Sequence, residues 1–220
     1  MTAPFTIAHR GGNEPELVDE AVAAGVDVIE VDIRFDRGRL VTRHDPRFPF
    51  LPVYYDRWHV RLRLKRQVVL AEMLDRLAGR ASLLVDLKST SVQALRLLLE
   101  SLRTHDAITG SRISSSFWGM LRRAHDLEPR IKMLYSIGKR RELARFWELQ
   151  ERTHEATGVS IKERLLDKAL TERFLAEGVE IAAYNVHSLR RARELASWGV
   201  AAIISGDLSL LQALRETPAG

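Results

Sequence analysis

A single closed (β/α)8 barrel with a β-hairpin extension after its second strand is the fold class that this sequence predicts, over one domain spanning residues 1–220. Three observations predict it. Short β-branched runs alternate with longer amphipathic ones along the chain, the pattern of a parallel sheet with helical crossovers. One unit recurs, as "AVAAGVDVIEVD", "FLAEGVEIAAYN" and "LASWGVAAIISG", each reading helix, glycine, valine, strand. The length of 220 residues suits one eightfold barrel.

The strand-like runs are 5–9, 27–34, 39–43, 82–87, 112–116, 132–136, 158–161, 180–186 and 200–205. The helix-like runs are 14–24, 68–78, 90–104, 118–127, 139–155, 163–177, 188–198 and 207–215. Leu70, Met73, Leu74 and Leu77 show the helical spacing, as do Leu189, Ala192, Leu195 and Ala196. Ser188 is placed to cap the latter helix and Gly199 to end it. Nine strand runs are one too many for the barrel. Only "DRG", residues 36–38, separates the second from the third, which is too short for a helical crossover. These two runs form a hairpin, and the third is a return strand above the barrel. The least regular stretch, 45–67, carries aromatic clusters and prolines and is expected to cover the barrel mouth.

Composition narrows the chemistry. Apolar residues make up 45% of the chain, which allows a full core and argues against disorder. There is no cysteine, so any metal is held by oxygen or imidazole, and thiolate nucleophiles and disulfides are excluded. The formal charge of +5 favours an anionic partner: nucleic acid, a lipid headgroup or a small phosphate ester. No charged leader precedes an apolar stretch and no long apolar run occurs, so we expect a cytoplasmic protein without signal peptide or membrane span.

Barrel enzymes work at the C-terminal ends of their strands. His9 and Arg10 end the first strand. Glu30 and Asp32 lie two apart in the second and share a face, with Ile29, Val31 and Ile33 on the other. Two carboxylates facing a lumen repel each other unless a cation lies between them. The hairpin brings "HD", His44 and Asp45, back towards them, His44 falling opposite Glu30 to within one residue. In "LLVDLKS", Asp86 and Lys88 again share a face. Oxygen ligands of this kind suit Mg2+ or Ca2+. Two imidazoles can act as general base and general acid, and Arg10 and Lys88 can neutralise phosphate oxygens. Taken singly, His9–Arg10 reads as a structural pair and Asp86–Lys88 as an ion pair. Four segments delivering such groups to one rim read together as a site for cleaving a phosphate ester. His59, His105, His125 and His154 read as surface residues in loops or helices, and His187 follows a strand end as a further candidate. "HRGG" lacks the spacing of the common glycine-rich phosphate fingerprints.

These segments resemble the glycerophosphodiester phosphodiesterase family. The likeness runs from "AHRGG" through "GVDVIEVDIRFDRGRLVTRHDP", "LLVDLKS" and "SSSFWGMLRRAHDLEP" to "EIAAYNVHSLRRARELASWGVAAIISGDLSLL". It implies hydrolysis of a glycerophosphodiester to glycerol 3-phosphate and an alcohol. His9 and His44 match the acid–base pair, and Glu30, Asp32 and Asp86 the ligands of a divalent cation. Arg10 and Lys88 match residues beside the substrate phosphate, and Tyr184 stands where the family typically carries tryptophan. Leu17 and Val18 replace the usual Asn-Thr after Pro-Glu, and Asp86 replaces a glutamate. The expected partner is a small phosphodiester, with no nucleic acid and with peripheral lipid contact as the only membrane association. Two other readings share these residues. One is a lysophospholipase D-like enzyme that uses 48–66 against lipid, and the other a non-catalytic phosphate-binding homologue.

Overall fold

Eight strands close into a parallel ring in the computed structural model, which describes residues 3–45, 53–56, 59–62 and 68–216. In chain order the elements are β1 (Phe5–Ala8), α1 (Pro15–Ala23), β2 (Val28–Asp36), β3 (Arg39–Thr42), β4 (Val53–Asp56), β5 (His59–Leu62), α2 (Leu70–Leu77) and β6 (Ser82–Leu87). They continue with α3 (Val92–Thr104), β7 (Arg112–Ser115), α4 (Trp118–Leu127), β8 (Lys132–Ile137), α5 (Arg140–Thr153) and β9 (Gly158–Lys162). The last are α6 (Lys168–Ala176), β10 (Glu180–Tyr184), α7 (Leu189–Ser197), β11 (Ala202–Ser205) and α8 (Leu208–Glu216). The ring runs β1-β2-β6-β7-β8-β9-β10-β11 and closes by β11 pairing with β1. β3 is bonded antiparallel to β2 outside the ring. The expected hairpin is present, with Asp36 opposite Arg39 and Ile33 opposite Thr42.

Alternation along the strands divides the core in two. Ile29, Val31 and Ile33 point outward into the layer packed under the helices, where Leu70, Met73, Leu74 and Leu77 of α2 are buried as their spacing predicts. A smaller set, Ile7, Val28, Leu84, Leu134, Ala182, Ala202 and Ile204, fills the lumen. The lumen is thus a packed floor, and the polar side chains above it stand at the C-terminal rim. The glycines of the repeated unit close their helices in the left-handed region, Gly25 and Gly178 at φ +69° and Gly199 at +94°. Ser188 caps α7 by accepting the Arg191 N–H.

Several boundaries differ from the sequence expectation. The helix expected over 163–177 begins at Lys168, because Asp167 caps it by accepting the Leu170 N–H; residues Glu163–Leu165 form a 3-10 turn before it. β10 ends at Tyr184 and not at 186, since Asn185 turns the backbone at φ +60°. Within 45–67 the described residues form the hairpin β4–β5. His59 accordingly opens a strand and does not lie in a loop or helix. The expected mouth cover over 45–67, and most of the 48–66 stretch assigned to lipid contact, lie outside the described residues. No helix among the described residues is long and apolar enough to cross a membrane.

Candidate active site

The first strand turns sharply where the site begins. Gly12 donates its N–H to Glu30 O at 2.9 Å, and a Cβ there would come within 2.7 Å of Val31 Cβ. Only glycine lets the chain lie this close to β2. The left-handed residue of the turn is Arg10, at φ +59°, one residue before the glycines. That conformation aims the Arg10 N–H at Glu30 Oε2, to which it donates.

Glu30, Asp32 and Asp86 meet at the rim, each offering an oxygen within 4.8 Å of the others. Register explains it: Asp32 lies directly beside Asp86 in the β2–β6 pairing, and Glu30 is two residues below Asp32 on the same face. Glu30 and Asp32 are buried. Burial pushes the Glu30 carboxyl well above the ordinary range, with repulsion from Asp32 and Asp86 adding to it. Burial likewise raises Asp86, against the pull of Lys88. Burial also acts to raise Asp32, but Lys88, Asn13, His44 and Arg10 together bring it below its ordinary value. The Lys88 Nζ donates to Asp86 Oδ2 and stands 3.3 Å from Asp32 Oδ1. Asp86 Oδ1 is buried with no hydrogen-bond partner. A buried carboxylate oxygen left open amid two further carboxylates fits a divalent cation, which would supply the missing contact and balance the charge.

Both predicted imidazoles line the same cavity, of about 530 Å³, together with the three carboxylates, Arg10, Lys88 and Tyr184. His9 is pushed down to about 4, chiefly by burial, with Arg10, His44 and Lys88 adding and Asp32 opposing. It is therefore neutral at pH 7. His44 lies just past β3, and the Arg43 N–H donates to Asp32 O at 2.8 Å, so the hairpin register places His44 opposite Val31, one residue from Glu30. Its Nδ1 is 2.7 Å from Asp45 Oδ1. Arg10 is partly exposed, its Nε 3.6 Å from Asp32 Oδ2. The Tyr184 hydroxyl donates to Ile137 O at 3.2 Å. His187 is exposed and does not line the cavity. His125 and His154 are exposed, as expected, whereas His105 is half-buried at the end of α3, hydrogen-bonded to Ser101 O and Asp75.

Two supporting residues, Asn13 and Arg34, escaped the sequence reading, and a third, Asp45, was brought to the rim by the hairpin but given no role there. Asn13 holds Asp32 from both sides, donating Nδ2 to Asp32 Oδ2 and accepting the Asp32 N–H on Oδ1, each at 2.9 Å. Arg34 donates twice to His44 O, at 2.9 and 2.8 Å, and so fixes the backbone that carries the imidazole. Asp45 holds the ring itself. Replacing Asn13 with alanine leaves the Asp32 N–H and a carboxylate oxygen without their partner. We expect a loss of about 1–3 kcal/mol, read as a lowered urea midpoint with unchanged slope; an unchanged midpoint would show that water replaces the amide.

Fold and rim together define a class, a (β/α)8 barrel whose open end gathers a carboxylate trio, two imidazoles and paired cations. Within that class the fold is the one found in solved glycerophosphodiester phosphodiesterases, in agreement with the sequence resemblance. A phosphodiesterase from Oleispira antarctica, solved in complex with the product sn-glycerol-3-phosphate, matches with a TM-score of 0.78 at 20% identity, covering 98% of each chain. The glycerophosphodiester phosphodiesterase of Thermotoga maritima matches with a TM-score of 0.76 at 17% identity, over 98% of this chain and 100% of that one. That of Parabacteroides distasonis gives 0.76 at 18% identity, over 97% of each. No protein-family model and no curated protein matches the sequence.

Proposed function

We propose that the chain is a phosphoric diester hydrolase that cleaves a glycerophosphodiester to glycerol 3-phosphate and an alcohol. The observation that carries this is the meeting of Glu30, Asp32 and Asp86 with His9 and His44 in one cavity. The shared fold supports the substrate class, since one such structure holds sn-glycerol-3-phosphate. Glu30, Asp32 and Asp86 would hold a divalent cation, Mg2+ or Ca2+, which would supply Lewis-acid charge to the phosphate.

The protein's own groups divide the remaining work. Arg10 and Lys88 orient the phosphate and balance its charge. His9, neutral and flanked by cations, accepts a proton from the attacking hydroxyl, whether of water or of the substrate's own glycerol. His44 donates its Nδ1–H to Asp45, which sets a carboxylate beside the ring and leaves Nε2 for the reaction. That is the arrangement for protonating the leaving alcohol. Tyr184 borders the substrate on the far side.

The test is hydrolysis of glycerophosphoglycerol by the purified protein, followed by enzymatic detection of glycerol 3-phosphate, with Mg2+ and with Ca2+. Turnover that stops on chelation is expected. No turnover with either ion would overturn the proposal.

A further inference from the structure

The cavity has two walls of different chemistry. Glu30, Asp32 and Asp86 stand on β2 and β6, with His9 and Arg10 on the neighbouring β1 end. Lys162 ends β9, which is four strands from β2 in either direction round the ring. It therefore stands across the barrel from Glu30 and Asp32. Lys139, just past β8, and Arg164, in the turn after β9, border the same side. Ser160 lies two residues before Lys162 and lines the cavity with it, so this end of β9 presents a hydroxyl and then an ammonium to the lumen.

The two sets of cations differ in their partners. Lys88 is bound to Asp86 and close to Asp32, and Arg10 approaches Asp32. Among the described residues no carboxylate pairs with Lys139, Lys162 or Arg164. Glu142 borders this wall, but its Oε2 accepts the backbone N–H groups of Gly138 and Lys139, at 2.7 and 3.0 Å. Lys162 is also half-buried. A partly desolvated ammonium without a counter-ion is unfavourable, and an incoming anion removes that cost. A diester phosphate carries one negative charge, and Arg10 and Lys88 already stand beside the carboxylates to meet it. Three cations across the barrel, unpaired among the described residues, exceed that need.

We propose that the substrate carries a second anionic group, a carboxylate or a phosphomonoester, on the arm that crosses the barrel mouth, and that Lys162 and Arg164 receive it with Lys139 at the rim. The proposal rests on the phosphodiesterase reading of the opposite wall. It also implies discrimination, because a cationic alcohol such as choline would meet three like charges.

The test compares glycerophosphoglycerol, glycerophosphocholine and glycerophosphoglycerol phosphate, whose alcohol bears a phosphomonoester. The expected kcat/KM is about tenfold or more higher for the anionic diester than for the uncharged one, with choline lowest. In the Lys162→Gln/Arg164→Gln variant that ratio falls to about two or less. Arg122→Gln/Arg123→Gln, which removes the same charge from the exposed face of α4, keeps it. Hydrolysis of glycerophosphoglycerol without preference for the anionic diester would overturn the subsite and leave the phosphodiesterase reading standing. If none of the three is hydrolysed, calorimetry decides the subsite by itself. Propane-1,3-diol bisphosphate should bind about tenfold tighter than propyl phosphate, and lose that advantage in Lys162→Gln/Arg164→Gln. Equal affinities would overturn it.

Discussion

If the proposed activity holds, replacing His44 with alanine should lower kcat on glycerophosphoglycerol by about 10²–10⁴-fold, the range for loss of a positioned general acid. Among the described residues His44 is the one imidazole lining the cavity with a carboxylate on its Nδ1, so the proposed mechanism assigns the proton for the leaving alcohol to it. The assignment predicts a dependence on the leaving group. An alkoxide needs that proton, whereas p-nitrophenolate leaves without it. His44→Ala should therefore retain most of its activity on a p-nitrophenyl diester, while His9→Ala, which removes the proposed base, should lose activity on both substrates. Asp45→Asn weakens the same step. Combined with His44→Ala it should add almost nothing, since the two residues act as one unit. Stability should stay within about 0.5 kcal/mol of the parent protein, because the His44 side chain is 40% exposed. Equal losses on the alkyl and p-nitrophenyl diesters would remove His44 from the acid's role.

Why the sequence revealed His44 but not Asn13 or Arg34 has a physical basis. Strand alternation has a fixed period, so Glu30, Asp32, Asp86 and Lys88 could be assigned to one face without knowing any distance. A two-residue hairpin likewise fixes its own register, which carried the expectation from Arg37 to His44 within one residue. Asn13 sits in an irregular turn, where no period applies. Its value comes from reaching Asp32, a contact set by the closeness of Gly12 to Val31. Arg34 lies two residues beyond Asp32 on the same face of β2 and donates to a backbone carbonyl, and a charged residue near a strand end gives no sign in sequence of whether it binds substrate or main chain. The basic wall was hidden for the same reason. Lys162 lies just past the strand-like run 158–161, and only ring closure sets it opposite the carboxylates.

Glu30→Gln should make the cation-free protein more stable and at the same time abolish its response to divalent cations. Glu30 is buried between two other carboxylates, and its carboxyl is held well above the ordinary range. The sign follows from linkage. A carboxyl raised in the folded state keeps a proton that the unfolded chain gives up, so it favours folding at low pH, and that contribution is lost as pH rises through the folded value. Above that folded value the ionised Glu30 carboxylate therefore weighs against folding unless a cation balances it. Glutamine keeps an oxygen to accept the Arg10 N–H and removes the charge. The gain without cation should be on the order of 1 kcal/mol. In the parent protein, Mg2+ or Ca2+ at a hundred times its Kd adds about 2.7 kcal/mol. For a chain of 220 residues that raises Tm by roughly 5–10 °C, and in Glu30→Gln the rise should vanish. The two effects have opposite signs, which separates them from general damage to the fold: a variant that merely packs badly loses stability both with and without cation. A parent Tm indifferent to both ions, together with a destabilised Glu30→Gln, would mean that the three carboxylates hold no metal and that Lys88 alone balances their charge.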